Sequence, residues 1–416
     1  MKKLIPTLEK AQNWFPALLI FIFCFAPKPS SIVIILWLIN NLVLWSQKAV
    51  KFQWNKIFSA ITGLYLIFVI GSFFTHDPGI AGGILSKKLS LLVFPLIFAL
   101  QNPRSFDLKP FVVAFLAGLI VVITLGFVHS YQFYLETEYL NGSFTGSVFS
   151  YIHHPTYLAV LLTMSIFFFR IAIWEQWKGF NTWTLLVWIA FISFIQFIIF
   201  SFAGVLFHFA VLAYLVVSYL KKKLPAMAFL VVLAIIASLP FVAYFGVTRV
   251  KDEVNNTLTD LKIYLSDPDH IYEQAKLAPH GNNIRILMWT TSFQQFSEHP
   301  MGTGTGNFDE VMGARLRAKG LDEIAKVEYN SHNQFLQLAV EVGIFGLLCF
   351  VMLLFLVFRM GIRYRNELLV WIGLNLVFNG FFESMLQQQS GIVFYVLTIC
   401  IGILLVRKKH PLRTAS

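Results

Sequence analysis

The chain has 416 residues, 57% of them apolar and only 13% charged, with a net charge of +11. A soluble domain carries roughly 45–50% apolar and about 25% charged residues, so neither a water-soluble globular fold nor a disordered segment fits. The apolar residues fall in long runs, such as 111–127 and 226–245, matching the roughly 20 residues a helix needs to cross a bilayer.

In chain order, spans are predicted at 14–26, 31–45, 57–74, 84–100, 110–135, 156–173, 183–200, 202–220, 224–246, 332–358, 367–385 and 390–406. These twelve or so segments predict an all-α polytopic membrane protein in three parts. A bundle of about nine helices occupies 1–246, a large polar loop with short helices 247–331, and about three more helices 332–416. The first run is followed by Pro27-Lys28-Pro29 and a second span, without a small-residue cleavage site, which reads as a retained helix rather than a signal peptide. With both termini in the cytoplasm, the inner segments hold twenty Lys and Arg, and the short outer loops only Lys28, Lys87 and Lys88. That asymmetry sets the orientation and places the 247–331 loop outside the cytoplasm. It also makes the positive charge an anchor on anionic membrane lipids rather than a nucleic-acid surface. Cys24, Cys349 and Cys400 all lie in predicted spans, so no disulfide framework or metal cluster is expected.

Polar chemistry is concentrated in two outer segments. The shorter runs from Glu136 to Pro155 and ends in His153-His154-Pro155-Thr156-Tyr157. The proline favours a non-helical approach and Thr156 is then placed to cap the next helix; the adjacent histidines diverge, a poor arrangement for one metal. The longer holds twelve of the 21 acidic residues. Within it Arg285, Met288, Trp289, Ser292 and Phe296 recur at steps of three and four, one stripe of a helix that stops at His299-Pro300. Gly302-Thr303-Gly304-Thr305-Gly306-Asn307 reads as a flexible turn; it follows a helix rather than a strand, which argues against a nucleotide loop. A mixed-charge stretch then leads to His332.

Four groups of residues could carry chemistry. His332 sits where the loop re-enters the membrane, and an imidazole with an ordinary pKa near 6.5 is suited to accept a proton there; Asn333 beside it would line the same pocket. The structural alternative is a polar residue at a helix start. Arg285 offers a fixed, charged fork for phosphate or carboxylate, with Trp289 on the same face to pack against a sugar or lipid, unless the arginine simply pairs with Glu298. Glu383 is a carboxylate near the outer end of a span with no cation close in sequence; such groups usually face a partner, and orienting His332 would suit it. Glu341, about 13 Å along its helix from His332 by the helical rise, is expected to be structural. Lys87 and Lys88, at the outer start of a span, suit an anionic phosphate or else snorkel to the interface.

With Glu298-His299-Pro300-Met301-Gly302-Thr303-Gly304, His332-Asn333-Gln334-Phe335-Leu336 and Glu341-Val342-Gly343-Ile344-Phe345-Gly346, the Arg285–Trp289 stripe resembles the O-antigen ligase family. The Glu383-Ser384-Met385-Leu386 and Gln389-Ser390-Gly391 segment and the His154-Pro155-Thr156-Tyr157 segment look like the Bacteroidetes-type members. The resemblance implies a membrane-embedded, metal-independent glycosyltransferase of GT-C-like architecture, without a cofactor. It would sit in the bacterial inner membrane and work on the periplasmic face. Its donor would be a glycan on undecaprenyl pyrophosphate and its acceptor lipid A–core. By the same resemblance His332 would be the base and Arg285 would hold the pyrophosphate, with His154 and Tyr157 on the substrate. O-antigen polymerases share the chemistry and differ in acceptor. The family also carries a second Arg after a Ser near the outer end of an earlier span. Here that stretch reads Phe200-Ser201-Phe202-Ala203-Gly204, so Lys87 or Lys88 would have to supply the charge, or the pyrophosphate is held differently. A transporter of lipid-linked sugars is the reading from another class; it should show broken helices or charges at mid-membrane, and only His208 lies deep in a predicted span.

Overall fold

A computed structural model describes residues 5–221, 270–277 and 281–410, with scattered positions between 223 and 267. The span expected at 224–246 lies almost wholly outside the described residues. Among those described there is helix and no strand, and the chain is a polytopic membrane protein. The first eleven helices are α1 (Ile5–Phe25), α2 (Ser30–Ser46), α3 (Lys56–Gly71), α4 (Pro78–Lys88), α5 (Ser90–Ala99), α6 (Lys109–Thr137), α7 (Leu140–Ser143), α8 (Gly146–Phe149), α9 (Pro155–Trp174), α10 (Thr182–Ile199) and α11 (Phe202–Leu220). The polar segment contributes α12 (His270–Leu277), α13 (Gly281–Glu298), α14 (Phe308–Ala318) and α15 (Asp322–Ala325), and the chain ends with α16 (Gln334–Arg363), α17 (Glu367–Phe382) and α18 (Gln389–Lys409). Eight described segments are long and apolar enough to cross a membrane, one of them α4 and α5 in succession; α2 and α17 are shorter apolar helices.

Two ends of the bundle are distinguished by what meets there. At one, Arg407 bonds Gln53, Lys408 reaches the Phe106 carbonyl (2.8 Å) and Arg170 pairs with Glu367 (3.1 Å). At the other, the polar segment meets the end of α3, the first half of α16 and the turn after α17. Helices α9 and α18 are the centre, 83% of each span being buried, whereas α10 and α11, at 28%, present most of their surface outward. Lipid tails are as apolar as leucine, so contact between such helices depends on close packing and shared hydrogen bonds. The glycines supply the approach: a Cβ on Gly118 of α6 would lie 3.0 Å from Cys24 of α1, and one on Gly204 of α11 would lie 2.4 Å from Ala159 of α9. His208 serves the same purpose. Its ring nitrogens bond Thr163 (3.2 Å) and Ser193 (2.9 Å), while Gln196 bonds Thr163 and the Ala159 carbonyl, so this buried histidine ties three helices together.

The feature that organises the polar end is a break in α16. Gly343 has φ 66° and ψ −163°, non-helical values in the middle of a 30-residue helix. Carbonyls freed inside a membrane helix must find other donors, and the turn at 302–307 supplies them. Thr303 N–H donates to the Val340 carbonyl (2.8 Å), Gly304 N–H to that of Glu341 (3.1 Å), and Ile344 N–H to that of Pro300 (2.9 Å). Thr305 continues the clamp onto α3, its N–H on the Gly71 carbonyl (3.1 Å) and its hydroxyl on that of Phe68 (2.8 Å). The turn is therefore a fixed staple rather than the flexible link expected. Its glycines are needed because Gly302, Gly304 and Gly306 all have positive φ and because the backbones touch: a Cβ on Gly343 would stand 2.3 Å from the Met301 carbonyl carbon. Under the staple, Leu287 and Met288 of α13, Met312 and Leu316 of α14 and Val340 of α16 share a second apolar core, which seats the polar segment on the bundle.

Candidate active site

His332 lies just before α16, in the left-handed backbone region (φ 45°), where a β-substituted residue is strained and persists only if its surroundings hold it. Three bonds do so. Its N–H donates to Asn330 Oδ1 (2.7 Å), its carbonyl accepts from Trp289 Nε1 (3.1 Å), and its Nδ1 meets Glu383 Oε2 (3.3 Å). A carboxylate on Nδ1 fixes that nitrogen as the hydrogen-bearing one, leaving Nε2 as a base; among the described residues nothing bonds Nε2. The ring is one-fifth exposed, whereas Glu383 is almost fully buried. Burial on its own would raise the Glu383 carboxyl, but the hydrogen bond and charge of His332, the charge of His154 and the Ser384 N–H outweigh it and hold the pKa below the usual value.

Asn333 turns out to be the cap of α16. Its Oδ1 accepts from the N–H groups of Phe335 (2.9 Å) and Leu336 (3.1 Å), and its Nδ2 donates to the Phe381 carbonyl (3.4 Å), so its polar atoms are occupied. Trp289 is half-buried and spends its N–H on His332, which makes it a support for the imidazole. Arg285, one turn earlier on α13, is half-buried and pairs with no described carboxylate. Glu298 is taken by Arg315, which removes the structural alternative considered for this arginine.

The two lysines separate. Lys88 is buried (2% exposed); it donates to the Leu386 carbonyl (3.0 Å) and Gln387 Oε1 (2.9 Å), and its ammonium lies 4.3 Å from the Phe68 ring centre. It does not snorkel, because the α17–α18 turn closes over it. Lys87 is exposed and near Asp309. Tyr157 is buried, with its hydroxyl on the Ser384 carbonyl (3.2 Å), and so braces the turn that carries Glu383. His154, not Thr156, is the residue before the first turn of α9, because Pro155 is the first helical residue; its Nδ1 accepts from Thr156 N–H (3.4 Å). His154 is exposed, whereas His153 is buried with Nε2 on the Cys24 carbonyl (2.9 Å).

Residues 185–351 match the family model described as O-Antigen ligase. This stretch is similar to the O-antigen ligase family. No curated protein matches the chain. The matched O-antigen ligase region takes in α10, α11, the polar segment and most of α16, and so contains Arg285, Trp289, His332 and Asn333. Lys87, Lys88, His154, Tyr157 and Glu383 lie outside it and come to the same end of the molecule through the fold.

What the sequence reading missed is the polar chain connecting these parts. Ser331 N–H donates to Gln337 Oε1 (2.8 Å), Gln337 and Gln387 both donate to Glu341 Oε1 (3.1 and 2.9 Å), and Ser384 links Asn330 to Gln337. The signal was present: Gln334, Gln337 and Glu341 fall on one face of an otherwise apolar helix. At Ser201, where the resemblance implied an arginine to follow, the hydroxyl donates to Thr156 Oγ1 (3.0 Å) and Phe202 begins α11.

Proposed function

We propose that the protein transfers a glycan from undecaprenyl pyrophosphate to a lipid A–core acceptor, with His332 as general base. The observation that carries this reading is the His332–Glu383 pair, set in a strained loop, with the half-buried Arg285 paired to no described carboxylate. His332 Nε2 takes the proton of an acceptor hydroxyl as its oxygen bonds to the anomeric carbon of the donor. The bond from that carbon to the phosphate oxygen breaks, and its electron pair leaves with the pyrophosphate, next to Arg285. Glu383 holds the imidazole in the correct tautomer and stabilises the imidazolium, as a buried carboxylate does in acyl-transfer triads. The donor is already activated, so positioning, a base and charge stabilisation of the leaving group suffice.

The inside-positive charge pattern supports a site facing the periplasm of the inner membrane, with both termini cytoplasmic. It also supports 247–331 as a periplasmic unit between membrane bundles at 1–246 and 332–416. The histidine that stood for a transport reading, His208, is engaged by two hydroxyls inside the bundle, and the break in α16 is closed by the 302–307 turn, so neither offers a mid-membrane site among the described residues. The test is His332→Ala in a strain whose lipopolysaccharide is resolved on a gel. Loss of the long-glycan ladder with normal membrane insertion is expected, by at least a hundred-fold in rate as for other general bases (typically about 10²–10⁴). An unchanged ladder sinks the proposal, and single attached repeat units in a deletion strain would assign the same chemistry to a polymerase instead. Chelator should leave transfer unchanged in vitro; restoration by an added divalent ion would overturn the metal-free mechanism.

A further inference from the structure

His154 is a titratable group at the polar end whose chemistry the transfer step leaves unused. Its ring stands edge-on to Tyr157, centroids 6.1 Å apart, and the Tyr157 hydroxyl touches the Ser384 carbonyl, adjacent to the Glu383 that bonds His332. This places His154 near Glu383, within range of the charges on His332 and Arg285. Protein surrounds the ring at longer range, yet the residue is exposed and open to a ligand. Its two nitrogens are not equivalent. Nδ1 accepts the Thr156 N–H at the start of α9, so the hydrogen of the neutral ring sits on Nε2, and no described residue accepts it.

We propose that His154 is a further binding residue of this site, a neutral imidazole whose Nε2–H donates to the same donor pyrophosphate as Arg285. Burial lowers its pKa; Glu383 opposes this, and the positive charges of His332 and Arg285 add to it. A donor that stays neutral beside Arg285 adds a hydrogen bond to the leaving group without repelling the guanidinium or the imidazolium that forms on His332. A hydrogen bond to a charged group contributes about 1.5–3 kcal/mol, so its removal corresponds to roughly ten- to a hundred-fold in affinity.

The inference rests on reading the site as a glycan-transfer centre, and its test is separable from that reading. Binding of polyprenyl diphosphate alone, without acceptor or glycan, is measured on the detergent-solubilised full chain, with polyprenyl monophosphate as the control lipid. His154→Phe, which keeps a ring against Tyr157, should weaken the diphosphate at least about tenfold and leave the monophosphate unchanged. His154→Gln, which restores a donor near Nε2, should bind within about threefold of the native chain. Unchanged diphosphate binding in His154→Phe overturns the proposal. So does an equal loss for both lipids, which would mean contact with the chain rather than the pyrophosphate, or a Gln variant as weak as the Phe variant with native melting behaviour. If His154→Phe does not fold, His154→Leu takes its place. If His332→Ala retains transfer, the catalytic reading falls while the diphosphate measurement still decides the role of His154.

Discussion

His153 and His154 are neighbours in sequence and opposites in exposure: His153 is buried on the Cys24 carbonyl, whereas His154 is exposed at the cap of α9. Burial drives the pKa of His153 down from 6.5 to about 4. The folded chain thus holds this ring neutral, and the unfolded chain binds the proton more readily. The stabilisation is complete above pH 6.5 and is lost as pH falls from 6.5 towards 4, about 3 kcal/mol in all at 1.36 kcal/mol per unit. The melting temperature in detergent should drop between pH 7 and pH 5, and His153→Gln should flatten that dependence; an equally steep fall in the variant would assign it elsewhere. Glu383 follows the acidic pattern. Its depressed pKa contributes stability above the ordinary carboxylate range, lost only as pH falls through the lower folded value. Glu383→Gln should keep the fold and slow transfer by a hundred-fold or more, on the order seen when a triad carboxylate loses its charge. A rate within threefold of native would leave the carboxylate without a part in the chemistry.

At the scale of elements, the decisive unit is the crossing of the Gly302–Asn307 turn over the break in α16. Gly343→Ala puts a methyl group 2.3 Å from the Met301 carbonyl carbon at a φ of 66°. Neither backbone can move without giving up the bonds to Val340, Glu341 and Pro300. A loss on the order of 2–3 kcal/mol is expected, read as a lower melting temperature. Gly82 in α4 is the control, since a Cβ there meets nothing within 4 Å; Gly82→Ala should be neutral or gain up to about 1 kcal/mol from helix propensity. Equal effects at the two positions would mean that the staple is not under steric constraint. The break also explains why an extended loop, rather than another helix, covers the polar end: only unpaired N–H groups can satisfy the carbonyls that α16 frees.

Across the whole molecule, a buried ammonium joins three parts of the chain that are distant in sequence. Lys88 from α4 holds Gln387 of the α17–α18 turn, Gln387 holds Glu341 of α16, and Glu341 holds Gln337, which reaches the Ser331 backbone next to His332. Removing one charge leaves the other buried without compensation, typically a loss of about 3–5 kcal/mol. Lys88→Met and Glu341→Gln should each lower the melting temperature strongly, and the double variant should lose clearly less than their sum. Strict additivity would show that the two charges are not coupled. The same network makes the arrangement of the site depend on helices outside the matched ligase region.

Much of this was legible in the linear chain because hydrophobic length is a local property. The helix ends at 110–135, 156–173, 183–200 and 202–220 fall within two residues of those observed, and the His332, Glu383 and Arg285 candidates were each marked by a polar group set against hydrocarbon. A chain read in order could not tell Lys87 from Lys88, or His153 from His154, because neighbouring residues share composition and differ only in which side the fold covers. Nor could it show that the glycine-rich turn completes a broken helix, since the carbonyls it satisfies lie more than thirty residues away. Sequence alone determined that this is a membrane bundle with one polar end; which of the polar side chains face each other there was decided by packing, since burial and pairing arise only when distant segments meet.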